Sequence, residues 1–259
     1  MMEIKKNHTN TFQNIITMAY RNLLKTLHNP DQFMDVLIQP IMFMILFGYL
    51  FGGAIAGGVH AYLPIIVPGI LAQTILSAAS GSGTQIREDM ETGIYDRFKS
   101  LPISHIAPLA GQLLADISRL FIACVASLIT GYFMGWRPNV SFSWIVVIVL
   151  IVIFIGWAIS WIYALVGLLA KSATMVESIS LMTMLLLSFL SNAFIPIKTL
   201  PKVLQAIANL NPMTYVITAI RQILAHGTFS NTTWIVLLAG FAIVLIFAPL
   251  TVWAYNKQN

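Results

Sequence analysis

Long apolar stretches separated by short polar segments dominate the pattern of this 259-residue chain. A helix needs about 20 apolar residues to cross roughly 30 Å of hydrocarbon, because each residue rises about 1.5 Å. Six stretches reach that length, and the fourth contains no charged residue. The pattern therefore predicts an all-α integral membrane protein whose six transmembrane helices span about 36–56, 61–86, 107–136, 142–170, 178–197 and 232–255.

The segment before the first predicted span, residues 10–28, has an amphipathic period instead. Its apolar residues recur at helical spacing, and polar residues such as Arg21 and Lys25 fall on the opposite side. This pattern is typical of an interfacial helix that lies in the plane of the membrane surface, and Asn29-Pro30 predicts its end. A helix packed against a partner protein is the alternative.

Residues 198–231 are too polar and too interrupted to form a simple span, although apolar residues repeat at helical spacing on both sides of Asn211-Pro212. We predict two short amphipathic helices here, forming a re-entrant segment at the outer face before the sixth span. No linker marks a second domain, so residues 1–259 are predicted to form a single transmembrane domain.

The composition agrees with a chain that lies mostly in lipid. The chain is 58% hydrophobic and 9% charged, whereas soluble domains contain about 25% charged residues. With the N-terminus inside, nine Lys and Arg residues fall on the inner side and four on the outer side. Because cytoplasmic loops retain basic residues, this distribution predicts that both termini are cytoplasmic. We expect a multi-pass protein of a bacterial or archaeal plasma membrane. The basic residues are scattered, so no nucleic-acid partner is expected.

No motif for enzyme chemistry occurs in the sequence. The chain contains no Gly-Lys pair, and therefore no phosphate-binding loop of the GxxxxGK[ST] type. No two of the five histidines stand three or four residues apart, and neither HExxH nor GxSxG is present. We therefore expect the chain itself to be neither an enzyme nor the holder of a cofactor or metal.

Two charges fall inside the third predicted span. Asp116 and Arg119 are three residues apart, on one face of a helix, where they can neutralise each other. We interpret them as a structural ion pair, and an ion pathway is the alternative. The other predicted spans have no charge near their midplane, which weakens the case for an ion-coupled transporter.

A charged segment lies between the second and third predicted spans. It includes "GIYDRFKSLPIS", residues 93–104, which resembles the corresponding loop of the second class of ABC exporter permeases, typified by daunorubicin-resistance permeases. The pattern of that family in this loop is glycine, two apolar residues, Asp-Arg-Phe, a basic residue and Ser-Leu-Pro-Ile, and residues 93–103 of this chain match it. A second match, "FIPIKTLPKVLQAIANLNPMTYVITAIR", residues 194–221, is similar to the outer re-entrant segment of the same family.

The resemblance implies a permease subunit of an ATP-driven ABC exporter that moves a drug-like, lipid or lipid-linked substrate outward, as multidrug resistance permeases do. The implied partners are a separate ABC ATPase subunit, which holds ATP and Mg, and a second permease copy, with a homodimer expected. A cytoplasmic coupling helix within 88–104 would contact the ATPase, through Glu88, Asp89, Gly93, Ile94, Tyr95, Asp96, Arg97, Phe98, Lys99, Ser100, Leu101 and Pro102.

The helical pattern adds detail to this expectation. A helix from Glu91 to Leu101 would be about 16 Å long. It would place Tyr95, Phe98 and Leu101 on one apolar face as knobs for a groove, with Asp96 and Arg97 as orienting polar contacts.

Polar and aromatic residues on the second and fifth predicted spans are candidates for the substrate path. These are Gln73, Thr74, Phe189, Asn192 and Phe194. Two other functions stay open from the sequence: a secondary, ion-coupled transporter, and a non-transporting membrane immunity or scaffold protein.

Overall fold

The computed structural model describes residues 11–29, 34–99, 103–104 and 106–258, and most of them are helical. No strand occurs within these ranges, so the all-α class is confirmed. A turn of π-helix, Met34–Ile38, leads into α2, and a 3₁₀ turn, Ile197–Thr199, precedes α8. The helices are α1 Thr11–His28, α2 Gln39–Ala56, α3 Val59–Glu91, α4 Ile94–Lys99, α5 Ala107–Phe133, α6 Phe142–Leu169, α7 Ala173–Phe189, α8 Lys202–Leu210, α9 Pro212–His226 and α10 Asn231–Gln258.

Five helices are long and apolar enough to cross a membrane. They are α2 with the end of the preceding turn, α3, α5, α6 and α10. Helices α8 and α9 are bent by 80° at their junction and give a sixth candidate if they are counted as one broken span. The chain is therefore a multi-span membrane protein with five or six candidate spans among the described residues.

The fifth predicted span, 178–197, differs from the observed helix. Helix α7 begins at Ala173 and ends at Phe189, so its 17 residues cover about 26 Å, less than the roughly 30 Å of a hydrocarbon core. Past that end, the Ser191 hydroxyl donates to the carbonyl of Ser188 at 2.6 Å and accepts the amide of Ala193 at 3.1 Å. Serine hydroxyls that bond the local backbone in this way replace helical hydrogen bonds, and the chain turns.

Helix α3 is longer than the predicted span 61–86. Its 33 residues run from Val59 to Glu91, about 50 Å. Polar contacts support its last turns: Arg87 pairs with Glu91 at 3.1 Å and donates to the Lys171 carbonyl at 2.9 Å, and Glu91 accepts the Ala173 amide at 3.0 Å. The charged residues after Ile86 therefore extend the helix instead of ending it.

The core of the molecule surrounds α3, which packs against α2, α5, α6, α7 and α9. Backbones approach closely between α3 and α6. A Cβ atom on Gly167 would collide with the carbonyl of Gly83, and one on Gly83 would collide with the carbonyl of Tyr163. Small residues at such crossings let membrane helices pack through backbone contact, so this crossing depends on both glycines.

Helix α1 confirms the predicted amphipathic period, but its polar face is not turned to water. The helix packs against α5, and Asn14, Asn22 and Thr26 are buried in that contact. Phe12 and Tyr20, on the opposite side, are exposed. The apolar face is thus available to lipid, as expected of an interfacial helix, while the polar face is part of the protein interior.

Candidate functional site

The residues predicted to contact an ATPase lie at one corner of the molecule, where α3 ends and α4 begins. We call residues 88–99 the α4 corner. Thr92 caps α3 by donating its amide and hydroxyl to the Glu88 carbonyl at 2.9 and 2.8 Å. Gly93 follows with φ +68°, a left-handed conformation that favours glycine.

This turn corrects the predicted helix from Glu91 to Leu101. Glu91 belongs to α3, and α4 is a separate helix of six described residues, Ile94–Lys99, about 9 Å long. Ser100, Leu101 and Pro102 and the side chain of Lys99 lie outside the described part of the chain.

Tyr95 points into the protein instead of serving as an exposed knob. Only 8% of it is exposed, and its ring packs edge-on against Phe98 at 6.0 Å and Tyr255 of α10 at 5.7 Å. Burial, with smaller contributions from Tyr255 and Asp89, raises the pKa of Tyr95 well above its ordinary value. In this conformation Tyr95 anchors α4 to α10 through its contact with Tyr255. Because the ring is buried in its own chain, it is not available to fill a partner's groove.

Phe98 is only partly buried, and the guanidinium carbon of Arg21 lies 5.1 Å from the centre of its ring. This is the geometry of a cation–π contact. Asp96 and Arg97 are exposed at the surface of α4. Glu91, at the end of α3, is exposed as well. The exposed, described part of the α4 corner thus carries two acids and one base beside a partly buried aromatic ring, a surface suited to a mixed-charge protein partner.

Asp89 is directed towards α1 and not outward. Its carboxylate accepts from Lys25 at 2.8 Å and from Arg21 at 3.3 Å, and it is 5% exposed. Lys25 also lies 3.5 Å from Glu88. Two cations of its own chain therefore occupy the carboxylate in this conformation, and the direct contact of Asp89 with a partner stays a prediction.

Three residues that the sequence reasoning did not connect with this site complete it. Arg21 and Lys25 hold α1 against the end of α3, and Tyr255 holds α4 against α10. The spacing of Arg21 and Lys25, one helical turn apart, was the available signal that both could reach one acidic residue.

Asp116 and Arg119 are in contact, as predicted. The guanidinium Nη1 lies 3.3 Å from the Asp116 carboxylate, and both residues are buried. The same carboxylate accepts from the hydroxyl of Ser82 and from the amide of Gln112, the latter at 3.4 Å. A buried charge pair needs such additional hydrogen bonds to offset its loss of hydration.

The candidate substrate-path residues fall into two groups. Phe189 and Phe194 lie 5.1 Å apart, and both rings meet Phe47 of α2. Gln73 and Thr74 are buried beside the first turns of α2, and the Thr74 hydroxyl donates to the Ile70 carbonyl at 2.8 Å. Phe43 of α2 lies beside Gln73 and Thr74 and stacks on Phe47 at 5.5 Å.

Asn192 is buried and held by hydrogen bonds, and it does not line an open path. Its side-chain amide donates to the hydroxyl of Thr218 at 3.0 Å, and its backbone carbonyl accepts from Arg221 at 3.0 Å. Nearby, Asn211 caps the end of α7 by donating to the carbonyls of Leu187 and Leu190 at 2.9 and 2.8 Å. These amides fix the bend between α7, α8 and α9.

Comparison with known proteins shows the family of the chain. A family model described as ABC-2 type transporter matches residues 13–225, which include α1, the α4 corner and nearly all of α9. The chain is 34% identical over 94% of its length to the daunorubicin resistance ABC transporter permease protein DrrB1 of Streptomyces coeruleorubidus, covering 86% of that protein.

Two further relatives match less closely. The putative transport permease ycf38 of Porphyra purpurea is 29% identical over 86% of this chain and 76% of its own. The doxorubicin resistance ABC transporter permease protein DrrB of Mycobacterium tuberculosis is 33% identical over 51% of this chain and 49% of its own. The predicted resemblance is confirmed, and the chain belongs to the ABC-2 type transporter family of membrane permeases.

Proposed function

We propose that this protein is the permease subunit of an ATP-driven exporter and that a separate ABC ATPase, which holds ATP and Mg, docks on the α4 corner. The observation that carries this proposal is the short helix α4, which presents Asp96 and Arg97 at the surface of a chain with very few charges. Membership of the ABC-2 family supports the assignment of that surface to an ATPase.

The packing suggests how force would pass from the ATPase to the spans. Helix α4 is joined to α3 by the two-residue turn Thr92-Gly93 and to α1 through the contact of Phe98 with Arg21. A displacement of α4 would move α3, and α3 packs against five other helices. Closure of the ATPase would in this way move α4 and α3 together and change the side of the membrane on which the substrate path is open.

The remaining parts of the proposal concern orientation, assembly and cargo. We infer from the distribution of Lys and Arg that both termini and the α4 corner are cytoplasmic. Membership of the ABC-2 family supports a bacterial or archaeal plasma membrane. A homodimer is supported by exposed apolar side chains on α2 and α7, including Leu50 and Leu186, which a second copy could cover. The named resistance relatives support a drug-like, lipid or lipid-linked cargo, with Phe47, Phe189 and Phe194 beside its path.

Reconstitution of the chain with a co-purifying ABC ATPase in proteoliposomes tests the proposal. We expect efflux only with ATP, and we expect Phe98→Ala to insert normally but to lose transport while ATP hydrolysis persists. Phe133→Ala is the matched control, because Phe133 is exposed at the far end of α5. Efflux driven by an ion gradient without any ATPase would instead support a secondary transporter, and wild-type transport by Phe98→Ala would contradict the docking assignment.

A further inference from the structure

A polar cavity of about 290 Å³ lies between the start of α2 and helices α3, α5 and α7. Nine of its fourteen lining residues are polar, which is unusual inside a chain that is 58% hydrophobic. Its volume lies at the lower limit of ligand sites, which begin at about 300 Å³. The cavity is therefore of a size for a polar head group and too small for a whole drug-sized molecule.

Two buried groups that line this cavity lack hydrogen-bond partners. The Nε of Arg119 and the hydroxyl of Ser180 have none among the described residues, although Arg119 is only 3% and Ser180 only 6% exposed. Buried polar groups are nearly always paired, and an ionisable group inside a membrane protein usually has a function. These two donors thus indicate a site for an acceptor that enters the cavity.

Gly81 creates the space for the guanidinium at this site. A Cβ atom at position 81 would overlap the Nη2 of Arg119, so the side chain crosses α3 only because residue 81 is glycine. Asp116 holds Nη1 on the other side at 3.3 Å. The guanidinium is thus fixed by its surroundings before any ligand arrives, which reduces the entropy cost of binding.

The mouth of the cavity has the opposite charge. Glu177, in the second turn of α7, and Glu88, near the end of α3, both line it. Glu88 is already 3.5 Å from Lys25, while Glu177 is exposed and makes no ion pair within the described part of the chain. Gly81 marks the level of the Arg119 guanidinium, and Glu88 lies seven residues further along α3, a distance of about 10 Å. The carboxylate of Glu88 and the guanidinium therefore lie at different depths in the cavity.

We propose that this cavity binds the zwitterionic phosphoethanolamine head group of a membrane phospholipid. The phosphate accepts from Arg119 and Ser180, and the ammonium donates to Glu177 and Glu88. This inference rests on the proposed function for its orientation, in which the glutamates lie at the cytoplasmic side. A phospholipid of the inner leaflet then enters with its phosphate towards the bilayer centre and its ammonium towards water, matching the depths of base and acid.

The charge balance favours a zwitterion over a simple ion. Asp116 neutralises Arg119, and Lys25 lies 3.5 Å from Glu88, so an anionic head group would meet the carboxylate of Glu177 with no positive charge left to offset it. A simple cation would satisfy the glutamates but would leave the donors of Arg119 and Ser180 unpaired. Only a head group with both charges satisfies both ends, and a primary ammonium supplies the N–H donors that a quaternary one lacks.

Native mass spectrometry of the purified chain, released from nanodiscs of equal parts phosphatidylethanolamine, phosphatidylcholine and phosphatidylglycerol, tests this proposal. We expect retained phosphatidylethanolamine to exceed either other lipid by about tenfold in apparent affinity. Glu177→Gln and Ser180→Val should abolish that preference. Ser178→Val is the matched control, since Ser178 is exposed on the same helix and bonds the Thr174 carbonyl.

Arg119→Gln leaves Asp116 unpaired and can fail to fold, so Ser180→Val and Glu177→Gln decide the outcome. A second arm adds soluble phosphoethanolamine, and its failure to displace the lipid is expected if acyl chains contribute to binding. Displacement by the soluble compound would instead assign the cavity to a water-soluble ligand and overturn the lipid proposal. Equal retention of the three lipids, or unchanged preference in both deciding variants, would also overturn it.

The experiment needs neither ATP nor an ATPase, so it separates this proposal from the proposed function. Loss of ATP-driven efflux with the lipid preference intact would contradict the exporter assignment alone. Efflux with no lipid preference would contradict the head-group site alone.

Discussion

The guanidinium of Arg21 lies over the ring of Phe98, 5.1 Å from its centre, and the same guanidinium donates to Asp89 at 3.3 Å. One side chain of α1 therefore contacts both the end of α3 and the helix that we assign to ATPase docking. Any movement of Phe98 towards a partner must break or carry along this contact, so α1 is mechanically part of the α4 corner.

Replacement of Arg21 should loosen this link. Arg21→Met keeps an aliphatic side chain but removes the cation–π contact and the charged hydrogen bond, at a combined cost of about 2 kcal/mol. We expect faster amide hydrogen exchange in α4 and more ATP hydrolysed per substrate exported. Lys202→Met, an exposed position on α8, should change neither measurement.

Asp89→Asn should release α1 from the end of α3. The substitution removes the charge that Lys25 and Arg21 share, and charge-assisted hydrogen bonds of this kind contribute about 1.5–3 kcal/mol. Hydrogen exchange and limited proteolysis of α1 should both accelerate. Asp96→Asn is the control, because Asp96 is exposed on α4, and equal effects of the two variants would contradict the assigned role of Asp89.

The buried pair of Asp116 and Arg119 should be strongly coupled. Asp116→Asn leaves the guanidinium without its charged partner, and Arg119→Gln does the same to the carboxylate; breaking a buried pair in this way costs about 3–5 kcal/mol. The double variant Asp116→Asn, Arg119→Gln removes both charges and should recover most of the lost thermal stability. A double-mutant cycle of Tm values in detergent measures the coupling, and additive losses would contradict it.

The close crossing of α3 and α6 should not tolerate a methyl group. Gly83→Ala places a Cβ against the carbonyl of Tyr163, and overpacking of this kind costs about 1–3 kcal/mol. Gly53→Ala is the matched control in α2, where a Cβ meets no atom within 4 Å. Because alanine favours helix over glycine, the control should be neutral or slightly stabilising, so the two Tm shifts should differ in sign.

Tyr95 should make the α4 corner sensitive to alkaline pH. Its pKa is raised in the folded protein, so the folded state holds the proton more tightly than the unfolded state, where the pKa is 10.0. The stability contributed by burial is therefore complete below about pH 10 and is lost as pH rises through the folded pKa. Hydrogen exchange of α4 should accelerate in that range, and Tyr95→Phe should remove the acceleration, whereas Tyr20→Phe, at an exposed position, should not.

Much of the architecture could be predicted from local pattern. Apolar stretches of span length and a charged segment between them follow directly from residue order, and the α4 corner was found in its correct position along the chain. The bounds of α3 and α7 could not be predicted in this way. Arg87 and Glu91 extend α3 through contacts with residues about 80 positions away, and Ser191 ends α7 early through its own hydroxyl.

The candidate site was predicted in part. Phe98, Asp96 and Arg97 lie where the amphipathic pattern placed them, but Tyr95 and Asp89 face inward. Helical periodicity identifies the faces of a helix without identifying what covers each face. The polar face of α1 illustrates this, because the same pattern fits contact with water and contact with Asp89.

Hydropathy and charge distribution were enough to predict the membrane class and the all-α fold, and the resemblance of residues 93–104 and 194–221 to known permeases indicated the family. Hydropathy and loop charge are summed over neighbouring residues, so they predict which stretches enter the lipid without knowledge of the tertiary structure. The partners of Arg21 and Asp89, the inward turn of Tyr95, and the cavity beside Arg119 and Ser180 became visible only once distant helices were packed together. Each of these features requires side chains from different helices to come within contact distance. Tertiary packing decides which side chains meet, and sequence periodicity does not.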